Sequence, residues 1–155
     1  MSGIINSAGS KSGVIGRSTL SYVQRSGTVN GSNITVTAAA HFQLADDDVS
    51  DTSILTYSAG TWTVVMAGLY MCTLTTATPT PSTNSTQLFL YLDTGSGFAQ
   101  VGEPIYARTS DTQFLPKVLT RVVKCKPGDS FYFTPNNDYL MYQDFTTIQI
   151  TRLGA

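Results

Sequence analysis

An all-β sandwich or barrel is the fold class that this sequence predicts, and three observations predict it. Helix signals are nearly absent: no window sustains apolar residues at i, i+3, i+4 and i+7. β-Branched and aromatic residues instead recur in short alternating runs. Turn chemistry separates the runs, at Ser58-Ala59-Gly60, Gly95-Ser96-Gly97, Pro127-Gly128-Asp129 and Pro135-Asn136-Asn137-Asp138. About ten short strands punctuated in this way mark a sandwich or barrel.

In chain order, the alternation predicts strands over Asn33–Phe42, Ser53–Tyr57, Thr61–Val65, Leu69–Thr76 and Thr86–Leu92. It predicts five more over Ala99–Val101, Ile105–Ala107, Lys117–Cys125, Ser130–Thr134 and Thr146–Leu153. Residues 1–31 are rich in Gly and Ser, with apolar islands only at Ile4-Ile5 and Val14-Ile15. Ordering each residue costs about 1–2 kcal/mol, and this segment has little apolar area to offset it. It reads as an extended docking arm that orders only against another surface, with one β domain over residues 32–155. The stretch Thr76–Thr86, with two prolines, reads as a surface loop.

Charged residues make up 12% of the chain, roughly half the usual share for a soluble domain. A surface so poor in Lys and Glu suits a protein that hides its exterior in an assembly. The net charge is −1 and the basic residues are scattered, so there is no stripe to displace counterions from nucleic acid. No apolar run approaches the ~18 residues of a membrane span, and the N-terminus lacks the long apolar centre of a signal peptide. Cys72 and Cys125 lie inside strand patterns without a CxxC partner, and read as free, buried thiols, not a zinc site; whether they pair depends on which strands are neighbours.

The region from about Ser53 to the C-terminus resembles the tumour necrosis factor and complement globular-head superfamily. Gly60–Val65 followed by Ala67-Gly68-Leu69-Tyr70 is similar to that family's strand, Ala-Gly-x-Tyr, strand; Leu88–Leu92 matches the apolar strand that follows. Val118–Val123 with Cys125, Pro127-Gly128-Asp129 and Phe131 resembles its strand–Gly-Asp turn–strand, and Asp144-Phe145 leading to Ile148–Ile150 its closing strand. Met66 and Cys125 depart from the family pattern, where proline and leucine are usual. The resemblance implies a ten-stranded jelly-roll sandwich and a homotrimer with aromatic side chains along the threefold axis, for which Tyr132, Tyr139, Tyr142 and Phe145 are the candidates. Ile4–Gly16 resembles the opening of many small virion proteins of tailed bacteriophages, where it precedes different β domains. That resemblance makes Ile4, Ile5, Val14 and Ile15 the candidate virion-docking residues.

A catalytic constellation is not apparent. His41 is the single histidine, beside Phe42 in an expected strand; no serine lies in a Gly-x-Ser-x-Gly elbow, and no carboxylate pair stands out. Asp46, Asp47, Asp48 and Asp51 form the one acidic cluster. Calcium takes several carboxylate oxygens from one flexible loop, and some members of the complement-like family bind it; the plainer reading is a solvated acidic loop without a cofactor. The leading expectation is a non-enzymatic virion-surface protein, assembled in a bacterial cytoplasm. It would be a trimeric capsid decoration or cement protein whose arm meets the major capsid protein or tail and portal components. The alternative is a tail-fibre or tail-tip adhesin that binds a host receptor or surface glycan through Thr76–Thr86 and Asn136–Tyr142. A secreted calcium-dependent lectin-like or signalling module and a glycan depolymerase follow behind.

Overall fold

Alternation decides which way each strand faces. In Gly68–Thr76, Tyr70, Cys72 and Leu74 are fully buried, while Leu69, Met71, Thr73 and Thr75 face the other way. The same two-residue period runs through the rest of the computed structural model, which describes residues 21–28, 31–78, 86–107 and 116–154. The strands are β1 Tyr22–Ser26, β2 Ile34–Val36, β3 Asp46–Val49, β4 Leu55–Ser58 and β5 Thr61–Val64. Next come β6 Gly68–Thr76, β7 Thr86–Asp93, β8 Phe98–Gln100 and β9 Ile105–Ala107. The last are β10 Lys117–Cys125, β11 Ser130–Pro135, β12 Tyr139–Met141 and β13 Thr147–Gly154, with one 3-10 turn at Gln143–Phe145.

Two antiparallel sheets pack face to face. Sheet 1 has the order β10-β6-β13-β1-β3; sheet 2 has the order β4-β5-β11-β7-β8, with β9 also pairing β7; β12 and β2 form a separate ribbon. Between the sheets lie Leu119, Ile148 and Ile150 from one side and Leu88, Leu90, Phe131 and Phe133 from the other, none more than 1% exposed. Each such side chain contributes about 1.5–3 kcal/mol by leaving water. The Gly-Asp turn joins the layers: Gly128 takes φ 90°, where only glycine sits without strain. The buried Asp129 carboxylate accepts a 2.9 Å hydrogen bond from the Lys126 amide. The Asp129 carbonyl accepts a 2.8 Å bond from Val64 N–H, and Gly128 N–H donates back to Val64 O at 2.9 Å.

The jelly-roll sandwich is as expected, but it carries thirteen strands among the described residues where ten were expected. Tyr22–Ser26, assigned by sequence to the arm, is a strand between β13 and β3. Residues 21–28 thus belong with the sandwich, and residues 1–20 lie outside the described residues. The strand expected over Asn33–Phe42 shrinks to β2, because the chain turns at Ala39, whose φ is 62°. Asp46–Val49, expected as a loop, is the edge strand of sheet 1. Asn136–Tyr142, also read as a loop, contains β12. β9 and β10 span the residues that the sequence predicts for them.

Candidate assembly surface

The outward positions of sheet 1 build one continuous surface. The register aligns Val118, Thr120, Val122 and Lys124 of β10 with Thr75, Thr73, Met71 and Leu69 of β6. It sets Thr147, Gln149 and Thr151 of β13 beside Thr75, Thr73 and Met71, and Ser26, Gln24 and Tyr22 of β1 beside those. Four neighbouring strands therefore present aliphatic, threonine, glutamine and tyrosine side chains with a single charge, Lys124, at one corner. Asp48 sits at the diagonally opposite edge, where it accepts hydrogen bonds from Gln24 at 3.1 Å and Ser26 at 2.7 Å. Thr73 and Thr120 hydroxyls bond to each other at 3.1 Å, satisfying one another rather than water. Val118 and Val122 are more than half exposed in the single chain. A flat face with depleted charge and exposed apolar groups is the composition of an interface core.

The structure separates the four aromatics expected on a threefold axis. Tyr139 is 3% exposed and packs against Phe42 inside the sandwich; its place in the core follows from β12, and burial raises its hydroxyl pKa. Tyr142 and Phe145 bracket the 3-10 turn with ring centroids 5.0 Å apart, and Phe145 is half exposed. Tyr132 lies on the outward face of the other sheet. There it stacks between His41, at 3.7 Å, and Tyr91, at 5.5 Å. Burial, and then the neighbouring Tyr91, push its hydroxyl above the usual range. Ile4, Ile5, Val14 and Ile15 lie outside the described residues.

The acidic cluster is spent on structure. Along β3 the side chains alternate, so Asp47 reaches Arg25 at 3.4 Å while Asp48 holds β1. Arg25 also donates to Leu44 O at 3.1 Å and Ala45 O at 3.0 Å and lies 4.2 Å over the Tyr57 ring. Asp51 accepts bonds from Ser53 N–H at 3.1 Å and Ser53 Oγ at 2.5 Å, closing a turn. Among the described residues no group of three or more His, Cys, Asp or Glu converges as a metal site. The calcium candidates therefore do not come together, and the solvated acidic loop is replaced by a paired strand.

His41 is not in a strand; its Nδ1 lies 3.0 Å from Thr61 Oγ1. Desolvation lowers its pKa, opposed by a hydrogen bond with the Ala59 backbone. The thiols of Cys72 and Cys125 are free and buried. Their strands are neighbours, but Cys72 stands opposite Arg121 while Cys125 stands opposite Gly68. That offset of four residues, about 13 Å along the strand at ~3.3 Å per residue, is beyond disulfide reach. Burial pushes the Cys72 thiol well up, and burial followed by the Asp129 charge pushes Cys125 up to about 11. No helix of the described residues is long and apolar enough to cross a membrane.

Solved structures of the same shape decide the fold. Eiger TNF from S. frugiperda superimposes with a TM-score of 0.67 at 14% identity, over 87% of this chain and 93% of its own. The fold is the tumour necrosis factor-like jelly roll. The globular domain of zebrafish complement 1qA matches with a TM-score of 0.61 at 10% identity, covering 85% of this chain and 94% of that domain. Murine APRIL matches at 0.62 and 9% identity, over 87% and 100% respectively. No family model matches the sequence, and no curated protein does. The likeness to the jelly-roll structures reaches upstream of Ser53, since it covers 87% of this chain, and β1 and β3 belong to the same sandwich. Sequence reasoning missed the charge-poor face because it becomes visible only when β10, β6, β13 and β1 are laid side by side. Its one-dimensional trace is the uncharged set of alternate residues, Val118, Thr120 and Val122 on β10 and Met71, Thr73 and Thr75 on β6.

Proposed function

We propose that this chain is a non-catalytic structural module that assembles as a homotrimer through the outer face of sheet 1. It serves on a virion surface as a decoration or cement subunit. The observation that carries the reading is that face: four strands wide, with one charge at its corner and aliphatic groups exposed to water in the single chain. A closed ring of three copies, each meeting the next by a heterologous contact, can cover such a face on every subunit. The virion setting is supported by residues 1–20, whose Ile and Val islands in a Gly/Ser-rich segment suit docking on another protein by strand addition.

The test is truncation. Because β1 begins at Tyr22, the deletion that isolates the docking segment is residues 2–20; removing residues 2–31 would also take out a strand of sheet 1. The shortened chain is expected to remain a soluble trimer that no longer associates with particles. Full occupancy on particles after the deletion would refute the anchoring role. A second reading, a tail-tip adhesin present in few copies, is favoured by the aromatic cluster around Tyr132 on the face opposite the assembly surface. Copy number separates the two: hundreds per particle mean decoration, a few trimers mean an adhesin.

A further inference from the structure

β7 is apolar on both of its faces. Leu88 and Leu90 fill the core, so Phe89 and Tyr91 must point outward. Elsewhere the outward positions of sheet 2 are mostly small and polar: Thr56 and Ser58 on β4, Thr61 and Thr63 on β5, Ser130 and Thr134 on β11. Against that background the register sets Tyr132 directly opposite Tyr91, and Phe98 of β8 opposite Asp93, one step along. Phe98 meets Tyr132 edge-on at 4.7 Å, and Phe89 lies 6.0 Å from Tyr91. With Ala39, Pro135 and Asn136, the rings wall a depression of about 380 Å³, within the ~300–1,000 Å³ of small-ligand sites.

Its polar groups are few and fixed. Asn136 Oδ1 accepts from Gln87 N–H at 2.7 Å, and its Nδ2 donates to Gln87 Oε1 at 3.2 Å. That leaves the second Nδ2 hydrogen available to a ligand. None of the residues lining the depression is charged. Among the described strands of sheet 2 the carboxylate is Asp93, and it is taken by the amides of Gly95 at 2.7 Å and Gly97 at 2.9 Å.

These features select the occupant. An anionic ligand would find no cation among the described residues that line the depression, which argues against nucleic acid and phosphates. A peptide strand needs a sheet edge, and this is a sheet face. A second copy would set one concavity against another and leave a void, whereas a twofold contact must be self-complementary. A neutral pyranose has a C–H face to lay on aromatic rings and a rim of hydroxyls for amide and phenol groups. We infer that this depression binds a neutral saccharide, with Tyr91, Phe98 and Tyr132 as the stacking wall and Asn136 as a directing hydrogen-bond donor. Aromatic rings held by their neighbours lose little conformational freedom on binding, which suits repeated weak contacts.

The inference names the ligand class for the adhesin reading and rests on that reading for its biological setting. The purified full chain is titrated with neutral oligosaccharides built from glucose, galactose, mannose, rhamnose or N-acetylglucosamine, with sialyllactose as the charged control. Binding is read by saturation-transfer NMR and calorimetry. At least one neutral saccharide is expected to bind, and Tyr91→Ala and Phe98→Ser are each expected to weaken it by about tenfold or more, while Thr56→Ala, on the far strand of sheet 2, leaves it unchanged. Phe98 is 43% exposed on a short strand, so its variant keeps the test valid if Tyr91→Ala perturbs β7. The inference is overturned by silence of the whole neutral panel up to about 10 mM, by preference for sialyllactose, or by binding that both variants leave intact. Self-association abolished by Phe98→Ser would also overturn it. Copy number on particles is measured separately, so this inference and the adhesin reading can fail independently.

Discussion

Placing a carboxylate on the sheet 1 face, along its β10 edge, is the sharpest test of assembly. Val122 stands opposite Met71, is 55% exposed in the single chain, and has Thr120 and Lys124 as its outward neighbours along β10. In an isolated subunit Val122→Asp costs about 1 kcal/mol, the span of strand propensity at an exposed position. In the assembly the short aspartate stem cannot carry its charge back to water, so each interface buries an unpaired carboxylate. The effective penalty for that is several kcal/mol. Taking about 3 kcal/mol per interface, at about 1.4 kcal/mol per decade, the dissociation constant rises by at least about a hundredfold. Sedimentation equilibrium across about 1–100 μM is expected to show a wild-type trimer and a largely monomeric variant with a thermal midpoint only slightly reduced. Thr63→Asp, outward on the opposite sheet, is the control and should sediment as wild type. A Val122→Asp protein that remains trimeric over the same range refutes the assignment of this face.

Three further outcomes are expected. The folded state holds the His41 pKa below its ordinary 6.5, so below about that pH the unfolded chain takes up the proton first. Stability should therefore fall as the pH drops through 6.5 and level off below the folded pKa; denaturant titrations at several pH values would show this fall, which His41→Phe should reduce. Cys72 and Cys125 should resist alkylation at pH 8 in the folded chain and react in denaturant, because burial holds both thiols protonated and Cys125 at about 11; rapid native labelling of both would contradict the buried placement. Asp129→Ala should cost about 1–3 kcal/mol in urea unfolding, since it removes the buried carboxylate that accepts the Lys126 amide.

What could be read from the sequence depended on whether a strand's pattern was set by its own residues. β10 alternates over nine residues between Pro116 and the Pro127-Gly128-Asp129 turn, and its limits are legible. β3 is Asp-Asp-Asp-Val, among the poorest strand formers. It exists because its backbone pairs β1 and because Asp47 and Asp48 find Arg25, Gln24 and Ser26, partners more than twenty residues away. β1 carries a single fully inward apolar residue, Val23. Set in a Gly/Ser-rich context, that residue gives no local sign that two strands from later in the chain flank it. Ala38-Ala39-Ala40 looks neutral toward a strand, and only the left-handed Ala39 ends β2. The aromatic depression was partly legible. A run of five consecutive apolar residues, Leu88–Leu92, is one face more than a core requires, but its match to an apolar strand of the family accounts for the run without pointing to a second surface.

β13 lies between β6 and β1, and Arg152 N–H bonds to Ser21 O at 2.9 Å. During synthesis this has a temporal consequence. Until Thr147–Gly154 has left the ribosome, β6 lacks one neighbour and β1 and β3 have no place in sheet 1, so the charge-poor face cannot form. Hydrophobic strands with open edges are prone to mispairing during that interval, and pairing the first strand with the last is the slow kind of closure. Assembly of the proposed trimer through this face therefore has to wait until β13 is in place between β6 and β1.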